Sequence, residues 1–152
     1  MKNNTQAVHL EEMMQEKNAF QKCTVLLPFA TIKKSHLKKL SKDMVLLLNT
    51  EKLELIVEEG GRYIDTTIQK RKLVIGNRAK DTEYSYDSKK YKKLKIVLCD
   101  VMIASFDRGE TIDMNAFDFS DLSLYAEELL VAKGALVSVD AMLAIKIDEV
   151  ML

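Results

Sequence analysis

The stretch LLVAKGALVSVDAMLAIKIDEV, residues 129–150, reads as two β-strands joined by a tight turn at Asp140–Ala141. Ala135, Val137 and Val139 fall on one face of the first strand, and Leu136, Ser138 and Asp140 on the other. Past the turn, Leu143, Ile145 and Ile147 share a face opposite Ala144, Lys146 and Asp148. Alternation at period two, with many β-branched residues, is the signature of half-buried strands. Gly134 precedes the first alternating run, where a bulge or a close backbone approach is expected. A lone hairpin is marginally stable in water, so this one needs an apolar cover.

The rest of the chain is long enough to supply one. Its 152 residues, 47% hydrophobic with a single proline, suit one folded domain or two small ones sharing a core. No apolar run is long enough to span a bilayer. The start, MKNNTQAVHLEEMMQEKN, has neither the apolar run nor the small-residue cleavage site of a signal peptide. The expectation is a cytoplasmic protein without direct membrane insertion. Cys23 and Cys99 each sit in an apolar run, which predicts buried reduced thiols. With His9 and His36 both in polar sequence, neither a thiolate–imidazole pair nor a zinc spacing is present. Net charge is zero but unevenly spread. Residues 1–95 hold 20 Lys and Arg against 12 Asp and Glu, a net +8, and residues 96–152 hold 3 against 11, a net −8. Halves of opposite sign attract, within one chain or between chains.

From the N-terminus, residues 6–21 read as an amphipathic helix behind a Thr5 N-cap. Its incomplete stripe of Val8, Leu10, Met13, Met14 and Phe20 either packs on its own domain or docks a partner, the flexible methionines suiting an adaptable surface. TVLLPFATI, residues 24–32, is a strand whose Pro28 predicts an edge or a bulge. Ser35 is expected to cap a short lysine-rich helix carrying Leu37 and Leu40. A short apolar strand follows over 44–48, then an alternating one over 52–58 with Leu53, Leu55 and Val57 on one face. The Glu59-Gly60-Gly61 turn leads to strands over 62–69 and 72–75. The polar run Asn77–Lys93 reads as a linker. Its interleaved tyrosines and lysines resemble a single-strand nucleic-acid surface, but no RNA-binding signature accompanies them and the second half is acidic, so no nucleic-acid partner is expected. Strands over 95–103, 110–114 and 122–126 then lead into the hairpin, with turns at Arg108–Gly109 and Glu127–Glu128 and a loop over 115–121.

The order of features in residues 24–76 recurs in residues 95–150, as a repeat of pattern with low identity and without a second lysine-rich connector. Two half-cores, each covering the other's apolar face, are the expected result.

In its second copy the chain resembles the SpoA (surface presentation of antigens) domain. Gly109-Glu110-Thr111-Ile112 stands for that family's G-D-x-I, and Leu122-Ser123-Leu124-Tyr125 for its next strand. Residues 131–140, VAKGALVSVD, match its A-x-G-x-L-V-x-V-D segment, and residues 143–150, LAIKIDEV, match its closing strand with Lys146 in place of the usual arginine. The first copy matches less closely: Asp43 is kept, Lys42 replaces the glycine, and the A-x-G-x-L-V-x-V-D segment is missing.

The resemblance implies a mainly β, β-rich α+β fold. The divisions it suggests are an N-terminal helix (1–22), a divergent SpoA-like domain (23–78), a linker (79–93) and a SpoA-like domain (94–152), the two domains tandem and pseudo-symmetric. It also implies a non-catalytic structural or adaptor subunit of a bacterial cytoplasmic ring, either the C-ring of the flagellar motor switch or the sorting platform of type III secretion. Such a subunit acts by protein–protein assembly, needs no cofactor or metal, and could reach a membrane through the larger complex. Its partners would be other SpoA-containing ring subunits, with the interlocked pair formed within one chain or as a homodimer.

Residue patterns weigh against two other readings. A chemotaxis-type phosphatase relative would carry an acidic residue or serine, a glutamate four positions on and an asparagine three beyond, and that triplet is absent from the sequence. Asp118, Asp121, Glu127 and Glu128 read as a solvated rim rather than a carboxylate dyad. A small β-barrel binding a nucleotide or another anionic ligand would use Lys70, Arg71, Lys72, Arg78 and Lys80, but the R-x-x-x-R and D-x-S-x-x-G of one such domain are missing. The expected protein-interface residues are Leu136, Val137, Val139, Leu143, Ile145 and Ile147, which an ordinary internal core would explain equally well. Val139→Asp or Ile145→Asp is expected to abolish folding and association together. Leu10, Met13, Met14 and Phe20 are the candidates for a partner-docking helix.

Overall fold

The computed structural model describes residues 21–48, 50–78, 89–105 and 107–151. The expected N-terminal helix, with Leu10, Met13, Met14 and Phe20, lies outside them. Ten strands follow in chain order: β1 (Gln21–Lys33), β2 (Val45–Leu47), β3 (Ile56–Glu59), β4 (Arg62–Gln69), β5 (Lys72–Arg78), β6 (Tyr91–Ile103), β7 (Thr111–Asp113), β8 (Leu122–Ala126), β9 (Leu129–Val139) and β10 (Met142–Val150). One helical turn, α1 (Lys34–Leu37), is the only helix among the described residues. The fold is mainly β, and all ten strands join one antiparallel sheet in the order β2-β10-β9-β8-β6-β1-β3-β4-β5-β7.

The hairpins form where alternation and turn chemistry agree. Gly60 and Gly61 close β3–β4, Lys70 and Arg71 close β4–β5, and Asp140 and Ala141 close β9–β10, with positive φ at all six. That hand of turn matches the right-handed twist of the flanking strands. A β-carbon is strained there, so Ala141→Gly, at φ 65°, is expected to raise stability by about 0.5 kcal/mol in urea titration.

Long-range pairing overrides local composition at several places. β1 is central, flanked by β6 and β3, so Pro28 is not on an edge strand. It sits instead at a register shift between Leu27 and Ala30 on the β6 side, beyond the Thr24–Leu26 stretch that pairs with β3. The missing N–H thus falls where the ladder is already interrupted. The expected linker over 77–93 is strand at both ends, because Asn77 and Arg78 extend β5 and Lys33, Ile32 and Thr31 pair with Tyr91, Lys92 and Lys93. That pairing also carries β1 to Lys33, so the helical turn begins ahead of Ser35. Lys33 holds the N-cap position without a side-chain cap, and the Lys34 N–H donates to the Lys90 carbonyl at 2.9 Å. Leu53 and Leu55 precede β3 rather than lying in it. Gly134 lies inside β9, opposite Ile147.

The short strands pair across the chain. β2, from the first half, pairs with β10, with Leu46 opposite Ile145. β7, from the second half, pairs with β5, with Ile112 opposite Leu73. A single apolar cluster therefore joins Val25, Leu27, Val57 and Leu73 to Ile96, Leu124, Ile145 and Ile147. On the reverse face Leu26, Ile56 and Tyr63 form a smaller cluster, with Phe29 edge-on to Tyr63 at 5.8 Å and 78°. Burial of this much aliphatic surface, at about 25 cal/mol per Å², is the main stabilising term.

Candidate interaction surface

The register of β9 and β10 divides the expected interface residues between two faces. Paired residues in an antiparallel ladder project to the same side. Ile145 pairs with Leu136, Leu143 with Ser138 and Ile147 with Gly134, while Ala144 pairs with Val137 and Met142 with Val139. Ile145 and Ile147 are fully buried in the core, and Leu136 packs against it from a half-buried position. Leu143 shares their face and is half-buried nearer the turn. Val137 and Val139 face the other way, where Val139 is 37% exposed.

That outer face continues onto β2. Leu47 lies opposite Ala144 and Val45 opposite Lys146, so Val45 and Leu47 join Ala135, Val137, Val139, Met142 and Ala144 on one side of the sheet. Val45 is 41% exposed and Leu47 53%. Sequence reading identified residues 44–48 only as a short, fully apolar strand, with neither a place in the sheet nor an exposed face assigned. Its shortness and its flanking lysines were the signals for an edge. Lys146, on the same face, reaches Asp43 at 3.5 Å.

Among the described residues ion pairs join the two halves in three places, Lys22 to Asp100 at 3.5 Å, Lys92 to Glu127 at 2.7 Å and, with the signs reversed, Lys146 to Asp43. Among the described residues the best sheltered pair is Glu58 on β3 with Lys95 on β6, whose Nζ donates to both carboxylate oxygens at 2.7 and 2.8 Å. Its side chains are 27% and 19% exposed. Glu58→Ala would leave a partly dehydrated ammonium unpaired, and is expected to cost about 1–2 kcal/mol in denaturant titration. Lys95→Met is expected to cost less when combined with Glu58→Ala than the two single losses together.

Lys95 also lines an open groove of about 350 Å³ with Thr24, Val97, Asp100, Tyr125, Glu127 and Glu128. Within it the Thr24 hydroxyl donates to Asp100 at 2.7 Å. The acidic residues of the second half are spread rather than convergent. Asp121 pairs with Lys133 at 3.3 Å. The Asp118 carboxylate accepts from the Ser120 hydroxyl and backbone N–H, which hold its pKa below the usual value. Among the described residues no group of three or more His, Cys, Asp or Glu is placed to hold a metal. Lys70, Arg71 and Lys72 are exposed at the β4–β5 turn, Arg78 ends β5, and Lys80 lies outside the described residues.

Both cysteines are free, Cys23 buried and Cys99 half-buried. Burial, reinforced by Cys99, Asp100 and Glu59, pushes the Cys23 thiol up to about 11. Burial and Asp100 raise Cys99 as well. Both are therefore protonated at neutral pH, which suits packing and not nucleophilic attack. Folded-state pKa values above the unfolded value of about 9 mean that the folded chain holds its protons longer. The contribution of the two thiols to stability is then level below pH 9 and is lost as pH rises from there towards 11. Iodoacetamide labelling at pH 8 is expected to be slow, with Cys99 modified before Cys23, and to become rapid at both sites once urea unfolds the chain.

No family model matches the chain, and no curated protein matches it.

Proposed function

We propose that the chain is a non-catalytic structural or adaptor subunit of a bacterial cytoplasmic ring, of the flagellar motor switch or type III secretion sorting-platform kind. In this reading its two halves are SpoA-like domains interlocked in cis. The observation that carries it is the strand order. Exchanging β1 with β6, β2 with β7, β3 with β8, β4 with β9 and β5 with β10, then reversing the order, returns the same sequence of strands. The centre of that order is the antiparallel β1–β6 pair, which a two-fold axis normal to the sheet accommodates. Each half also lends its short strand to the other, β2 to β10 and β7 to β5. Such an exchange is a route by which two copies of one small β-unit bury faces that neither could bury alone.

The test is affinity co-purification of the full chain from native cells under gentle lysis and low salt, with bound proteins identified by mass spectrometry. Rotor or secretion-platform components are the expected result, and which set appears names the machine. Recovery of neither set counts against the ring assignment while leaving the fold untouched.

A further inference from the structure

The sheet ends in two edge strands, and their chemistry differs. On β7, Glu110, Ile112 and Met114 are engaged with β5: the Glu110 carbonyl accepts from Ile75, Ile112 pairs with Leu73, and the Met114 N–H donates to the Arg71 carbonyl. Alternation turns the backbone groups of Thr111 and Asp113 outward. A polar residue and a carboxylate there discourage an added strand. On β2, the Met44 carbonyl accepts from Ile147, Leu46 pairs with Ile145, and the Leu48 N–H donates to the Leu143 carbonyl. The outward backbone groups thus belong to Val45 and Leu47, whose side chains are also the exposed apolar pair of the outer face.

We propose that β2 is a homodimerisation edge, at which a second copy of this chain adds its own β2 antiparallel about a two-fold axis through Leu46. The register is self-complementary. Val45 stands opposite Leu47 of the second copy and Leu47 opposite its Val45, both as hydrogen-bonded pairs and both on the outer face. The flanks agree in charge: exposed Lys42 lies in the turn that precedes β2 and exposed Glu51 follows the strand, so the two-fold axis brings opposite charges to each end of the added pair. Asp43 does not oppose the arrangement, being turned back to Lys146 of its own chain at 3.5 Å. A one-residue slip would set Val45 and Leu47 opposite Met44, Leu46 or Leu48, whose backbone groups are already engaged with β10, so the pairing is specified as well as permitted. The contact does not depend on the ring assignment, and it uses neither the core nor the β1–β6 centre.

The test is sedimentation velocity on the full chain over a wide concentration range, paired with cross-linking of mixed isotopically light and heavy copies by an amine-reactive reagent. A concentration-dependent dimer is expected, with light–heavy links between Lys42 and Lys52. The Val45→Lys/Leu47→Lys variant should raise the dissociation constant about a hundredfold or more, with an unchanged circular dichroism spectrum and thermal midpoint. Glu51→Lys should weaken the dimer about tenfold, and adding Lys42→Glu should restore it. A chain that stays monomeric at every concentration overturns the proposal. So does a dimer that the lysine variant leaves intact, or one whose Lys42–Lys52 links are confined to single-label copies.

Discussion

Replacing Gly134 by valine is expected to prevent the protein from folding, and replacing it by alanine to cost about 3 kcal/mol or more. Built on the observed backbone, a Cβ at this position lies 2.7 Å from the Lys146 carbonyl oxygen and 2.8 Å from Ile145 Cγ2. The first contact is with backbone, which cannot rotate away as a side-chain tip can. Relief would require β9 and β10 to separate beside the register shift between Ile147 and Glu149. The residues displaced would be Ile145 and Ile147, which hold β10 in the core. Gly76 is the internal comparison: a Cβ there meets the Asp65 carbonyl oxygen at 2.9 Å, so Gly76→Ala should also destabilise, by about 2 kcal/mol. Urea unfolding followed by circular dichroism gives both values. A Gly134→Ala midpoint close to that of the parent chain would mean that the two strands do not approach this closely.

Ile145→Asp is expected to unfold the protein, whereas Val139→Asp should leave it folded. An expectation from alternation alone treats the two alike, since both are β-branched and occupy regular strand positions. The structure separates them. Ile145 is wholly buried between Leu46 and Leu136, its neighbours across β2 and β9. A carboxylate there would lose its hydration with no partner, a cost of several kcal/mol against a total stability of about 5–15 kcal/mol. Val139 is 37% exposed beside the Asp140–Ala141 turn, on the outer face. Its aspartate would remain hydrated, and the change should stay within about 1 kcal/mol. Ile145→Val, which removes one buried methyl group, should cost about 1 kcal/mol and calibrates the series. Soluble expression and thermal unfolding of the three variants decide the matter. An Ile145→Asp chain with native spectroscopic signatures would contradict the single shared core.

Much of the fold was legible because it is local. β4 and β8 coincide with the strands read over 62–69 and 122–126, and the turns at Gly60–Gly61, Arg108–Gly109, Glu127–Glu128 and Asp140–Ala141 fall where expected. Alternation reports which side chains share a face, and turn residues report where a strand must reverse. Strand ends were less legible where pairing draws in polar chain. Tyr91–Lys93 resemble linker by composition, yet they are strand because Thr31–Lys33 lie opposite.

The candidate surface was half legible for the same reason. Ile145 and Ile147 were correctly set on one face with Leu143, and Val137 with Val139 on one face of the preceding strand. Which face turns inward was written in β10, whose other face carries Lys146 and Asp148, but not in β9, where both faces carry apolar residues. The answer came from β2 and the core strands beneath, which cover one face and leave the other open.

The sequence by itself determined that the chain is mainly β, that residues 129–150 form a hairpin, and that similar strand patterns occur in its two halves. These follow from period and turn chemistry within a few residues of each site. Only the tertiary structure decided which strands are neighbours: that β1 and its Pro28 lie at the centre, that β2 and β7 each cross to the other half, and that Val45 and Leu47 end at an open edge. Periodicity gives a strand two faces but names no partner for its backbone hydrogen bonds, and that choice is made by the competition of all ten strands for burial in a common core.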